Sequence, residues 1–169
     1  MTAFFHLDLI EVILHTGSNL GNEQANLSKA LYLIEELIGP ILKKSQLYIT
    51  EPWGLKEQSD FYNQAILCQT ELSPKETLST IHLIEKLLGR IRGIKWQSRL
   101  IDIDMIFFGV QVISEEGLTI PHKHLHERNF VLVPLNEIIP DFIHPVFKKS
   151  IAALLEECED DGEVKELLN

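Results

Sequence analysis

Cysteine is scarce. The two in this chain of 169 residues, Cys68 and Cys158, lie far apart and form neither a disulfide framework nor a thiolate metal site, so a reducing compartment is the simplest reading. Positive charge is scarce too, with 15 Lys and Arg against 25 Asp and Glu, a net charge of -10 and a pI near 5.1. An acidic chain is a poor ligand for nucleic acid or an anionic membrane, so neither is expected as a partner. Long apolar runs are missing. The opening "MTAFFHLDLIEVILH" has no basic start and is interrupted by Asp8 and Glu11, so neither a signal peptide nor a membrane span is expected there. The default location is cytoplasmic and the default state a monomer, although nothing in the sequence reads an oligomeric state. Both glycine-rich phosphate cradles are absent: there is no GxxxxGK followed by Ser or Thr, and no GxGxxG after a strand. If the chain handles a nucleotide, it uses other means.

What is present suits a globular domain over 1–169, since 45% of the residues are hydrophobic. "EVILHTG" (11–17) reads as a strand ending in the turn "GSNLGN". Asn22 caps a helix marked by Leu27, Leu31, Ile34, Leu37 and Ile38, which Gly39 and Pro40 stop. "KKSQLYIT" (43–50) and "FYNQAILCQTEL" (61–72) read as strands around a loop (51–59). "SPKE" is a capping box, Ser73 to Glu76, with Pro74 at the first helical position. That helix stops at Gly89, before a basic loop, "RIRGIKWQS" (90–98). "RLIDIDMIFFG" is the fourth strand, and "VQVIS" (110–114) is expected to hairpin back onto it. The order predicts an α+β, ferredoxin-like βαββαβ sheet, antiparallel, with helices on one face. Helical pieces at 130–139 and 150–157 follow, and 158–169 reads as an acidic, solvated tail.

The aspartates of "LIDIDMIFF" are the unusual feature. Strand alternation puts Ile101, Ile103, Met105 and Phe107 on one face and Asp102 and Asp104 on the other, about 6–7 Å apart. Two like charges at that range raise one another's proton affinity, and a divalent cation relieves the repulsion. A bare DxD is often only a solvated sheet face. Here Arg90, Arg92, Lys95 and Arg99 precede it within about ten residues, the densest positive cluster in the chain. Acids for a metal beside bases for phosphate are the signature of a nucleotide site. His122, His124 and His126 alternate, a spacing that suggests zinc ligands. However, Pro121 places them in a turn entering a helix, where that spacing scatters the rings. Phosphate contact by His122 with Arg128 fits better.

These stretches resemble the 6-hydroxymethyl-7,8-dihydropterin pyrophosphokinase family of folate biosynthesis. The resemblance runs from "GSNLG" to "NEIIPDFIHP" and is most specific in "GRIRGIKWQSRLIDIDMIFFG" and "IPHKHLHERNFVLVPL". It implies a ferredoxin-like fold, two Mg²⁺ ions, ATP as co-substrate, and transfer of pyrophosphate to the pterin hydroxymethyl oxygen with release of AMP. Position by position, it implies that Asp102 and Asp104 bridge the metals and that Arg90, Arg92 and Arg99 act on the phosphates. Trp96 joins Arg92 in a loop that closes over the site. Glu85, Met105, His122 and Arg128 would contact ATP. Gly17, Thr50, Trp53, Phe61, Asn63, Trp96 and Phe130 would form the pterin pocket. Departures at Glu51, Phe61, His82 and Lys123 bear on affinity rather than on the reaction. Two other readings stay open on the residues alone: a different DxD metal-dependent transferase, and a non-catalytic ferredoxin-like binding module. The acidic face counts against the second.

Overall fold

The computed structural model describes residues 9–52, 58–90 and 98–168. Its strands and helices follow in the order β1 Ile10–Ser18, α1 Glu23–Leu37, β2 Ile41–Lys44, β3 Tyr48–Thr50, β4 Phe61–Thr70, α2 Pro74–Leu87 and β5 Asp102–Phe108. Then come β6 Ile113–Glu115, β7 Leu118–Ile120, α3 Asn129–Ile138, α4 Ile151–Glu156 and β8 Val164–Glu166. The main sheet runs β5-β1-β4-β3-β8, with β2 also paired to β4. The pairings of β1 with β4 and β5, and of β4 with β2 and β3, are all antiparallel. This is the expected ferredoxin-like arrangement.

The helix starts follow local chemistry. The Asn22 side chain accepts from the Ala25 N–H at 3.0 Å. At α2, Ser73 accepts from the Glu76 N–H at 3.3 Å while Glu76 accepts from the Ser73 N–H at 2.8 Å, so two orphan donors are satisfied reciprocally. Gly39 ends the first helix with φ +149°. A Cβ there would sit 2.0 Å from the Gln69 carbonyl oxygen, so no side chain fits.

Both faces of the sheet are covered. Helices α1 and α2 pack Leu27, Ala30, Ile34, Ile81 and Ile84 on Val12, Leu14, Ile66, Ile103 and Met105. The C-terminal helices cover part of the other face, with Val131, Leu132, Leu135, Ile151 and Leu154 on Ile13, Ala65, Leu67 and Phe107. Two-sided burial explains why β1 and β4 carry unbroken apolar runs, Val12–Leu14 and Ala65–Cys68, instead of alternating. Because α3 and α4 reach only part-way, the end of that face carrying Gly17, Asn63 and Asp102 is left open.

The structure corrects four details. The stretch 43–50 is two strands rather than one. β2 ends at Lys44 and β3 begins at Tyr48, and in the gap the Ser45 hydroxyl accepts from the Ala65 N–H at 3.0 Å. Second, Phe107 is not on the Ile103 face. Leu14 pairs with Met105 but Ile13 with Phe107, so Ile106 is a bulge that reverses the alternation and turns Phe107 toward α3 and α4. The freed Ile106 carbonyl accepts from the His122 N–H at 3.0 Å. Third, the 110–114 segment does not pair with β5. Its last residues start β6, which hairpins with β7 around Gly117 at φ +78°. Fourth, the acidic C-terminal segment is not simply a solvated tail. β8 pairs with β3 at the sheet edge, and the Asp160 carboxylate accepts from the Asn129 N–H at the start of α3, at 2.9 Å.

Candidate active site

The open end of the sheet is a cavity of about 350 Å³, at the lower end of the range for small-molecule sites. Strand register builds its floor. Gly17 on β1 sits between Asn63 on β4 and Asp102 on β5, and His15 between Ala65 and Asp104. Thr50 and Phe61 pair beside them. Arg128 and Phe130, at the start of α3, close one wall, and Glu51, Pro52, Gln58 and Arg99 line the rest.

One side of this cavity suits a flat heterocycle. Phe61 and Phe130 both line it. The Asn63 side-chain N–H donates to the Thr50 hydroxyl at 2.6 Å, which fixes the amide and leaves its carbonyl oxygen as an acceptor. Gly17 is required here, since a Cβ would lie 2.9 Å from that oxygen.

The other side is ionic. Arg99 donates to one carboxylate oxygen of Asp102, and Arg90 donates to the other at 2.7 Å. The approach to β5 is fixed by Ser18 and Asn19: the Ser18 hydroxyl donates to the Leu100 carbonyl at 2.7 Å, and Asn19 accepts from the Arg99 N–H at 2.7 Å. Burial, and then the charge of Asp102, push the Asp104 carboxyl up to about 7. His15 is buried and its Nε2 lies 3.2 Å from the Phe130 carbonyl oxygen. Burial lowers its pKa to about 4, so the ring is neutral at pH 7 and its N–H faces that carbonyl. His122 is likewise lowered to about 4 by burial and by the nearby Arg128 charge. Its Nδ1 accepts from the His124 N–H at 3.3 Å, which leaves Nε2 as a neutral donor.

Nine of the sequence candidates thus share one cavity: Gly17, Thr50, Phe61, Asn63, Arg99, Asp102, Asp104, Arg128 and Phe130. Arg90 stands one hydrogen bond behind Asp102. Three further candidates do not line the cavity. His122 is half-buried and feels the charges of Arg128 and Asp102 from outside the lining. Met105 is packed in the core under α1 and α2, because alternation from Asp104 turns it to the opposite face. Glu85 is buried at 2% exposure behind Arg90 and the backbone of β5. Trp53, Arg92 and Trp96 lie outside the described residues. His124 pairs with Glu127 and His126 packs on Phe147. Among the described residues, no group of three or more metal-capable side chains gathers. His15, Pro52 and Gln58 were not legible as site residues. For His15 the available signal was its place two residues before Gly17, on the same strand face.

A family model described as 7,8-dihydro-6-hydroxymethylpterin-pyrophosphokinase (HPPK) matches residues 13–140. The chain belongs to that family. Membership carries pyrophosphokinase activity in folate biosynthesis, with ATP as co-substrate. Among its relatives, the 2-amino-4-hydroxy-6-hydroxymethyldihydropteridine pyrophosphokinase of Aquifex aeolicus is 38% identical over 140 residues, covering 83% of this chain and 87% of that protein. The enzyme of the same name from Haemophilus influenzae is 37% identical over 138 residues, covering 81% and 86%. The folic acid synthesis protein fol1 of Pneumocystis carinii is 40% identical over 154 residues, but the chain spans only 21% of its length. In fold, the wild-type HPPK-DHPS crystal structure from Plasmodium falciparum matches with a TM-score of 0.75 at 20% identity, covering 89% of this chain and 45% of that one. Among the described residues, no helix is long and apolar enough to cross a membrane.

Proposed function

We propose that this cavity seats 6-hydroxymethyl-7,8-dihydropterin with its ring between Phe61 and Phe130 and its hydroxymethyl group toward Asp102 and Asp104. The Asn63 carbonyl oxygen accepts from the N–H edge of the pterin, and Gly17 leaves room for it. ATP approaches from the Arg90, Arg99 and Arg128 side, with His122 as a neutral donor to phosphate. The hydroxymethyl oxygen attacks the β-phosphorus and AMP leaves. One observation carries this reading: two carboxylates share a cavity with an aromatic and amide slot, and three arginines gather beside them.

The donor set fits magnesium. Two hard carboxylates on one wall, with room beside them for phosphate oxygens and water, match how Mg²⁺ is usually held in nucleotide sites. The raised proton affinity of Asp104, from burial first and the Asp102 charge second, is what a cation beside it would relieve. Asp102 and Asp104 would hold the ions, which when bound would withdraw charge from the phosphate oxygens. The arginines neutralise charge that builds in the transition state. Arg92 and Trp96 keep the loop roles implied by the resemblance, and Trp53 its place in the pterin pocket. Nucleotide contact by Met105 has no support from its position in the core. The two free cysteines are consistent with a reducing, cytoplasmic setting, and a monomer is the working assumption.

The test is incubation with MgATP and hydroxymethyl-dihydropterin. AMP should form only when the pterin is present, and Asp102→Ala or Asp104→Ala should lower its rate by several orders of magnitude while the domain still folds. Full turnover by either variant would refute the metal role. AMP formation without pterin would favour a different DxD transferase.

A further inference from the structure

Behind the arginines lies a carboxylate that does not reach the cavity. Glu85 is in the last turns of α2 and is 2% exposed. One of its oxygens accepts from two donors, the Arg90 guanidinium and, at 3.0 Å, the Ile103 N–H. Ile103 lies between the two aspartates on β5, which is the edge strand of the sheet. The same Arg90 nitrogen donates to Asp102 at 2.7 Å. Main chain ties the pair as well, since the Arg90 N–H donates to the Glu85 carbonyl at 2.9 Å. Glu85 therefore holds three things at once: the end of α2, the edge of the strand that carries the aspartates, and the guanidinium in front of them.

We infer that Glu85 is a positioning residue, not a nucleotide ligand, and that it acts on catalysis by fixing Arg90 in place over Asp102. This rests on the proposed use of Arg90 at the phosphates. A buried carboxylate is costly unless paired and hydrogen-bonded, and here one of its oxygens accepts from both of these donors. Arginine side chains are long, and holding one in a single rotamer costs conformational entropy. An anchor behind the guanidinium meets that cost before substrate arrives, which is the way a fixed charge stabilises a transition state without reorganising. When phosphate draws Arg90 away from Asp102, the anchor at Glu85 limits where it can go.

The test uses Glu85→Gln, which retains an acceptor for the Ile103 N–H but removes the charge, in wild-type and Arg90→Ala backgrounds. Glu85→Gln should lower kcat between about ten- and about a hundredfold, the scale of a displacement of about 1 Å in a catalytic group. The dissociation constant of ATP should move less than about threefold. Adding Glu85→Gln to Arg90→Ala should slow the enzyme by less than about threefold more, because the group it positions is gone. Thermal unfolding of the metal-free protein gives a readout independent of turnover. Glu85→Gln should lower Tm in the wild-type background by at least twice as much as in the Arg90→Ala background. Equal kcat losses in both backgrounds would overturn the inference, as would weakened ATP binding at unchanged kcat. Failure of the parent reading looks different: AMP would then not form in the wild-type protein either.

Discussion

Replacing Asp104 with Asn should make the metal-free protein more stable at pH 8 while abolishing its activity. The ionised carboxylate is disfavoured by burial and by Asp102, which raises its pKa from 3.8 to about 7. An acid raised in this way binds more protons folded than unfolded, so its contribution to stability falls as pH rises from 3.8 to 7. Below that window the group is neutral in both states and costs nothing. Above it the full penalty is present. At about 1.4 kcal/mol per pH unit, the span sets a ceiling of about 4 kcal/mol. Asp104 is only half-buried and borders the cavity, so solvent reduces the penalty, and about 2 kcal/mol is the better expectation. Asparagine has nearly the same shape and no charge. Urea unfolding in the presence of a chelator, read at pH 5 and pH 8, measures the effect. The variant's advantage over wild type should be about 2 kcal/mol at pH 8 and less than half of that at pH 5. Adding MgATP should then stabilise wild type more than the variant. Parallel stabilities across the pH range, or a variant weaker at pH 8, would show that the carboxylate is not disfavoured by its surroundings and would remove the electrostatic case for a cation there.

The same proton should be displaced on loading. At pH 6 a group of pKa about 7 is mostly protonated, so MgATP binding should release most of one proton at pH 6 and little at pH 8, read by calorimetry in buffers of different ionisation enthalpy. Gly17→Ala places a Cβ 2.9 Å from the Asn63 carbonyl oxygen, which Thr50 holds in place. Pterin affinity should drop about tenfold or more for about 1–3 kcal/mol of stability, and ATP binding by equilibrium titration should stay within about twofold. Asp160→Ala removes the acceptor at the start of α3 and should cost about 0.5–2 kcal/mol in denaturant unfolding. Because α3 carries Phe130, pterin affinity should weaken alongside.

Much of the fold could be read from the sequence where one local rule acts alone. The capping box at Ser73, the N-cap at Asn22 and the stop at Gly39 are decided within a few residues, and the structure places each there. Reading fails where partners distant in sequence decide. Nothing in "LIDIDMIFF" marks Ile106 as a bulge. The extra residue is fixed by the register with β1, so alternation assigned Phe107 to the wrong face. Nothing in "EVKE" marks a strand either. β8 has a charged, exposed pattern and exists because the edge of β3 is available to pair. The aspartates, arginines and Asn63 were legible through their chemistry and the family resemblance. Glu85 was legible only as a name in a motif, and its partners show why it is there. His15 was hidden because its one signal, a place two residues before Gly17 on the same strand face, does not distinguish a site histidine from a packed one.

The charges of the site make sense as one arrangement. Asp102 meets two guanidinium groups, while Asp104, two residues further along β5 and opposite neutral His15, has its proton affinity raised by burial and by Asp102. Without ligand, the negative charge of the pair is offset by Arg90, Arg99 and, below about pH 7, a proton on Asp104. On the proposed reading, a cation arriving with a polyphosphate would supply the positive charge that the carboxylates need and the negative charge that the arginines need. Each component would then release the other's partner: Asp102 would give up its arginines to the phosphates, and Asp104 its proton to the solvent. The exchange would favour metal and nucleotide together over either alone, because a lone cation must displace the arginines from Asp102 without supplying an anion in its place. On this account the basic cluster of an otherwise acidic chain is placed beside its acids so that the site is stable when empty and becomes fully ionised only when both charges of its co-substrate are present.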